Sequence, residues 1–156
     1  MKPGVFTQMY VQIVFAVKYR KASLHSSIQK QVYKYISGIL TEQGHKSIIV
    51  NGVDDHVHIF FGLNPCKSIS DIVHDIKRSS SLFINTNKLC PSKFSWQDGY
   101  GSFTYSRSHI KNVYNYILYQ HDHHKKESFK TEYLKYLNKF EIDYKEQYLF
   151  DFWDEG

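Results

Sequence analysis

Hydrophobic and polar positions alternate at the start of the chain. In residues 9–17, MYVQIVFAV, an extended backbone puts Val11, Ile13, Phe15 and Val17 on one face, which predicts a strand. The period then lengthens. Ser26 or Ser27 can cap a helix in which Ile28, Val32, Tyr35, Ile36, Ile39 and Leu40 recur at helical spacing, and Gly44 ends it. Residues 46–53 (KSIIVNGV) and 55–63 (DHVHIFFGL) read as two strands joined by a tight turn at Asp54-Asp55. Ser68 caps a second helix carrying Ile69, Ile72, Val73, Ile76 and Phe83. A polar stretch containing Pro91 leads to a short strand near Gly101–Tyr105, and Ser106 or Ser108 opens a third helix reaching about His123. Residues 127–156 read as a further helix and an acidic, aromatic tail.

The order βαββαβ followed by helices predicts an α+β fold. It is the split βαβ, ferredoxin-like (RRM-like) arrangement, an antiparallel sheet with two helices on one face plus C-terminal helices. The face away from the two helices is expected to stay free to carry a site. No linker, repeat or composition break divides the chain, so one domain is expected over residues 1–156, with a core at about 7–135 and a tail at about 136–156.

Composition narrows the class of partner. Among 156 residues, 42% are hydrophobic and 22% charged, which excludes a disordered chain. No apolar run approaches the roughly 18–20 residues that cross a bilayer, and no cleavable leader is read at the N-terminus, so a cytoplasmic protein with no membrane role is expected. Cys66 and Cys90 lack the spacing of a disulfide framework or a zinc knuckle. Residues 1–130 carry 17 basic and 8 acidic groups, and residues 131–156 carry 3 and 7. A basic body with 13 Tyr and 11 Phe suits a polyanion whose unpaired bases can stack on rings.

The triplet His56-Val57-His58 carries the most chemistry. In a strand His56, His58 and Phe60 point one way and Val57, Ile59 and Phe61 the other, so the second set packs under the helices and both imidazoles project from the opposite face. Two nitrogens so placed either bind one divalent metal or form an ordinary surface pair. In the third helix Ile110, Val113, Tyr114 and Ile117 cluster on one face, with Tyr116 and Gln120 one turn apart at its edge. Tyr116 is either half-buried packing or a nucleophile towards phosphorus.

These segments, with Ile76-Lys77-Arg78-Ser79-Ser80-Ser81, Trp96-Gln97-Asp98-Gly99-Tyr100-Gly101-Ser102-Phe103 and Tyr116-Ile117-Leu118-Tyr119-Gln120, resemble the single-tyrosine HUH transposases, the small TnpA-type enzymes of IS200-like insertion sequences. The resemblance runs from about residue 7 to 135 in the family's order and spacing. It implies that His56, His58 and Gln120 ligate a divalent metal, Mg²⁺ or Mn²⁺, and that Tyr116 is the nucleophile. Cleavage of single-stranded DNA at hairpin-marked ends would then leave a 5′-phosphotyrosine link and a free 3′-hydroxyl. The resemblance further implies a homodimer with composite sites, the histidines of one subunit working with the tyrosine helix of the other. A domesticated relative acting on repeated palindromic elements is one alternative; a catalytically silent single-stranded nucleic-acid-binding module is another.

Several residues are candidates for contact with DNA, Lys67 and Lys88 among them as partners of Lys77 and Arg78. Lys77 and Arg78 can meet phosphates or line a solvated helix face, and Trp96 and Tyr100 can stack on bases or pack at the sheet edge. His121, His123 and His124 can be further ligands or cations complementing a helix C-terminus. Asp54 and Asp55 are turn residues, of which one can orient a histidine.

Overall fold

The computed structural model describes residues 3–153; Asp154 and Glu155 of the acidic tail lie outside them. Strand β1 (Tyr10–Ala16) is followed by helix α1 (Ser26–Glu42), strands β2 (Lys46–Val53) and β3 (His56–Gly62), helix α2 (Ile69–Thr86) and strand β4 (Gly101–Tyr105). Helix α3 (Ile110–Leu118), a short α4 (Gln120–His123) and α5 (Phe129–Lys139) follow, and 3-10 turns lie at Arg20–Ala22, Arg107–His109 and Glu146–Tyr148. The sheet runs β2-β3-β1-β4 with every pairing antiparallel, the order of a split βαβ fold.

Register sorts the side chains. Val11, Ile13 and Phe15 pair with Phe61, Ile59 and Val57, and all six are buried in the main core with Ile36, Leu40, Ile72 and Ile76 of α1 and α2. This is the apolar face that alternation indicated. Ser68 Oγ accepts from Asp71 N at 3.1 Å and caps α2. The first helix is capped one residue earlier than its serines suggest. His25 accepts from Ser27 N at 3.2 Å, and Ser26 is already the first helical residue.

Two differences from the expected architecture shape the site. First, α3 to α5 cover the second face of the sheet, so His56 and His58 are both 0% exposed. Phe60 there packs with Val113 and Ile117 of α3, and Phe129 of α5 stacks on the His56 ring at 3.8 Å and 4°. A polar pair on a strand that closes against three helices must be satisfied internally. Second, the third helix is not continuous to His123. It opens after a 3-10 turn at Arg107–His109 and breaks at Tyr119 (φ −98°, ψ 28°). The break is capped from the sheet. Asn51 on β2, directly across from His58, donates its side-chain amide to the carbonyls of Ile117 at 2.8 Å and Leu118 at 3.2 Å. Those carbonyls are the ones a helix leaves unpaired at its C-terminus, so the sheet itself supplies the cap.

Candidate active site

Four residues named from sequence converge within one chain: His56 and His58 from β3, Tyr116 from α3 and Gln120 from the first turn of α4. At their centre is a fifth, Glu132, brought by α5 and 1% exposed. Its Oε1 accepts from His58 Nε2 at 3.0 Å and lies 3.2 Å from Nε2 of both His56 and His124. Its Oε2 accepts from Gln120 Nε2 at 3.1 Å and, in a short hydrogen bond, from the Tyr116 hydroxyl.

Each imidazole is held from behind. His56 Nδ1 donates to Asp55 Oδ1 at 2.7 Å, which leaves Nε2 facing Gln120 Oε1 at 3.3 Å. His124 Nδ1 donates to the Glu127 carbonyl at 2.9 Å, and its Nε2 is buried without an aligned hydrogen bond. His58 Nδ1 accepts from Gln12 Nε2 at 2.9 Å. Gln12, fully buried on β1, is fixed by Tyr105, whose hydroxyl donates to Oε1 at 2.6 Å, and by Tyr136, which accepts from Nε2 at 3.0 Å.

The titration of the cluster follows from these contacts. Burial alone would lower His56, but hydrogen bonds to Asp55 and Glu132 outweigh it and push the ring up to about 9. Burial lowers His58, which meets a hydrogen-bond donor rather than a carboxylate behind its ring. Burial opposes ionisation of Glu132, yet the surrounding imidazoles hold its carboxyl well below the usual range. Burial and the Glu132 charge raise Tyr116, so the phenol keeps its proton.

The same arrangement suits a divalent cation. One ring nitrogen each of His56, His58 and His124 and a Glu132 oxygen lie within 4.8 Å of one another. With Nδ1 engaged as a donor, a neutral His124 would aim a bare lone pair at a carboxylate oxygen, an arrangement that a cation or an added proton must neutralise. Imidazole nitrogen, carboxylate oxygen and the Gln120 amide oxygen together suit a borderline divalent ion. A cavity of about 510 Å³ opens onto this cluster between α3 and α5, lined by Tyr105, His109, Tyr116, Glu132, Lys135 and Tyr136 among others.

The other sequence candidates lie elsewhere. Lys77 sits on the opposite side of the sheet, where Nζ donates to the carbonyls of Gln97 and Gly99, both at 2.7 Å, and lies 5.2 Å from the Phe15 ring centroid. Its burial brings the ammonium down to about 8. Trp96 is core: it packs edge-on against Phe15 and Phe94 and donates Nε1 to Ser80 Oγ at 2.9 Å. Arg78 and Tyr100 are exposed. His121 turns to Gln29 on α1 at 3.1 Å, while His123 stacks on Tyr116 at 4.4 Å.

Glu132 had a signal in the sequence. It stands within the stripe Phe129, Tyr133, Tyr136 and Leu137 of FKTEYLKYLNK, a carboxylate on a face that has to be buried.

Comparison with known proteins places the chain in a family. The curated ISDra2 transposase TnpA of Deinococcus radiodurans is 25% identical over 124 residues, covering 76% of this chain and 89% of that protein. A crystal structure of a putative transposase from Deinococcus radiodurans R1 superposes with a TM-score of 0.58 at 22% identity, over 77% of this chain and 96% of that one. A REP-associated tyrosine transposase, solved bound to a REP hairpin, superposes with a TM-score of 0.56 at 13% identity, over 80% and 74%. The model of the IS200-like transposase family matches residues 5–120, a span that contains His56, His58, Tyr116 and Gln120 and stops before His124 and Glu132. The chain belongs to the IS200-like transposases, a family of enzymes that transfer DNA strands.

Proposed function

We propose that this transposase cleaves and rejoins single-stranded DNA through a covalent link to Tyr116, with hairpins marking the ends it processes. The observation that carries the reading is the convergence of the Tyr116 hydroxyl and the two strand imidazoles on one buried carboxylate, beside a cavity open to solvent. A phosphodiester entering that cavity would lie against the phenol, which is part of its lining.

The chain's own residues supply most of the steps. Tyr116, flanked by the His123 ring, is held with its proton already directed at Glu132 Oε2. As its oxygen bonds to phosphorus, that proton passes to the carboxylate and the 3′-oxygen leaves, taking a proton from the site or from water. The reverse attack by a 3′-hydroxyl reseals a strand, because the tyrosine ester conserves the phosphodiester bond energy. Asp55 and Gln12 hold the two strand imidazoles in orientation. His56, His58 and Gln120 would hold a divalent ion, Mg²⁺ or Mn²⁺, with His124 and Glu132 facing the same point, and its charge would polarise the scissile phosphate.

We read the site as working within one chain, since α3 and α5 both lie on the sheet that carries the histidines. A homodimer with composite sites, which the family resemblance implies, would require α3 to leave that sheet and expose Phe60. The REP hairpin bound by one structural relative supports hairpin recognition and leaves room for a role at repeated palindromic elements.

The test is incubation with labelled single strands carrying the DNA that flanks the gene, plus Mn²⁺, followed by mass spectrometry of the protein. Wild type should carry a nucleotide adduct on Tyr116, and Tyr116→Phe should carry none while binding DNA normally. An adduct on Tyr114 or Tyr119, or none in wild type, would overturn the reading.

A further inference from the structure

We infer that a single strand of DNA is held outside the cleavage cavity, on a basic and aromatic surface formed by Lys46, Arg107 and Lys111 with Tyr10 and Tyr114. The inference rests on the proposed action on single-stranded DNA and adds where the unpaired strand lies. A separate cavity of about 440 Å³ is lined by these five residues with Ile48 and Ile110. No carboxylate lines it, and among the described residues none of the three cations is in an ion pair. The cavity beside Tyr116, in contrast, mixes Lys135 and Lys139 with Glu127 and Glu132, and Lys135 is already paired to Glu127.

Lys46 is far in sequence from Arg107 and Lys111, which are close neighbours, and the fold brings it beside them. Lys46 opens β2, opposite Gly62, while Arg107 and Lys111 lie on the 3-10 turn and the first turn of α3. All three are exposed, and Tyr114 presents a ring that is 37% exposed. Tyr10 packs against Phe60 at 6.5 Å between centroids, so the aromatic floor is anchored to the sheet. Phosphates neutralised by three converging cations, with rings available to unpaired bases, are the recognition chemistry of a flexible single strand. The surface is also linked to the reactive site. Phe60 follows His58 by two positions on the same face of β3, and α3 carries Tyr114 towards this surface and Tyr116 towards the site. Register from His58 to the Gly62–Lys46 pair covers about 13 Å of strand, a distance that a few nucleotides bridge.

The test measures binding of a labelled, unstructured single strand over a series of salt concentrations, on the full chain. Replacing Lys46, Arg107 and Lys111 together by Ala should lower the slope of log affinity against log salt by about 2, from about 0.7 per phosphate contact. Tyr114→Ala should weaken binding about tenfold and Tyr114→Phe should restore it, since the ring and not the hydroxyl does the stacking. Arg78→Ala, on α2, should leave the slope unchanged. Circular dichroism and the Mn²⁺-dependent Tyr116 adduct at saturating DNA report on folding and chemistry separately. A wild-type adduct together with an unchanged slope in the triple variant overturns this surface and leaves the cleavage reading intact. A lowered slope with no adduct from wild type supports the surface and overturns the cleavage reading. Loss of binding to a blunt hairpin, with single-strand binding kept, would also overturn the surface as a single-strand site.

Discussion

Tyr116 and Glu132, sixteen residues apart and on different helices, are joined by a short hydrogen bond from phenol to carboxylate. The same carboxylate faces three imidazoles with its other oxygen. One side chain outside the span of the family model thus connects the tyrosine hydroxyl to the histidine pair.

Replacing Glu132 with Gln keeps the shape and removes the charge. In metal-free protein this leaves the buried, protonated His56 ring without the Glu132 counter-charge, and stability should fall by about 3 kcal/mol in urea unfolding. Affinity for Mn²⁺, followed by electron paramagnetic resonance of the free ion, should fall as well. An unchanged unfolding midpoint would mean that the cluster is held by packing alone.

The histidine pair gives a pH dependence of definite sign. His56 is raised from its ordinary 6.5 to about 9, so its folded-state proton stabilises metal-free protein fully below about 6.5. That contribution is lost as pH rises through about 9. Unfolding midpoints should therefore decline across this window, and Asp55→Asn should flatten the decline. Mn²⁺ affinity should move the other way, strengthening with pH, because the ion must displace the His56 proton. Affinity that does not change with pH would show that His56 is not a ligand.

Lys77 illustrates why sequence neighbours need not share a task. Its ammonium ties the Gln97–Gly99 loop to α2, whereas Arg78 points to solvent. Lys77→Ala should cost about 1.5–3 kcal/mol of stability, the scale of charge-assisted hydrogen bonds. The salt slope of DNA binding should stay as in wild type. A flattened slope with unchanged stability would return Lys77 to the DNA path.

A site assembled in one chain makes a further prediction. A mixture of His56→Ala/His58→Ala protein with Tyr116→Phe protein should form no covalent DNA adduct, since every site keeps one defect. Adduct formation in the mixture would demonstrate composite sites and require α3 to exchange between copies.

The strands, the two main helices and the apolar side of β3 were legible because burial on one face enforces a period that survives in the sequence. The pairing of His56 with His58 on one side of β3 followed from the same alternation. The closure of that side did not. Whether a sheet face is open depends on where later helices dock, and no local pattern in β3 encodes the stacking of Phe129 on His56. The break at Tyr119 was hidden for a related reason. It is capped by Asn51, a polar residue in a strand that gives no hint of the carbonyls it meets. The basic surface of Lys46, Arg107 and Lys111 likewise exists only once the fold brings β2 beside the start of α3.

His58 and its carboxylate partner Glu132 stand 74 residues apart. On a ribosome, where chains lengthen at about 5–20 residues per second, that gap is roughly 4–15 s of synthesis. The sheet and α1 can form in that interval, but the histidines then stand on a bare face, without the residues that later enclose them. The cluster therefore closes only after α5 has emerged, and a nascent chain stalled before α5 would display the histidine pair without the carboxylate that connects it to the tyrosine.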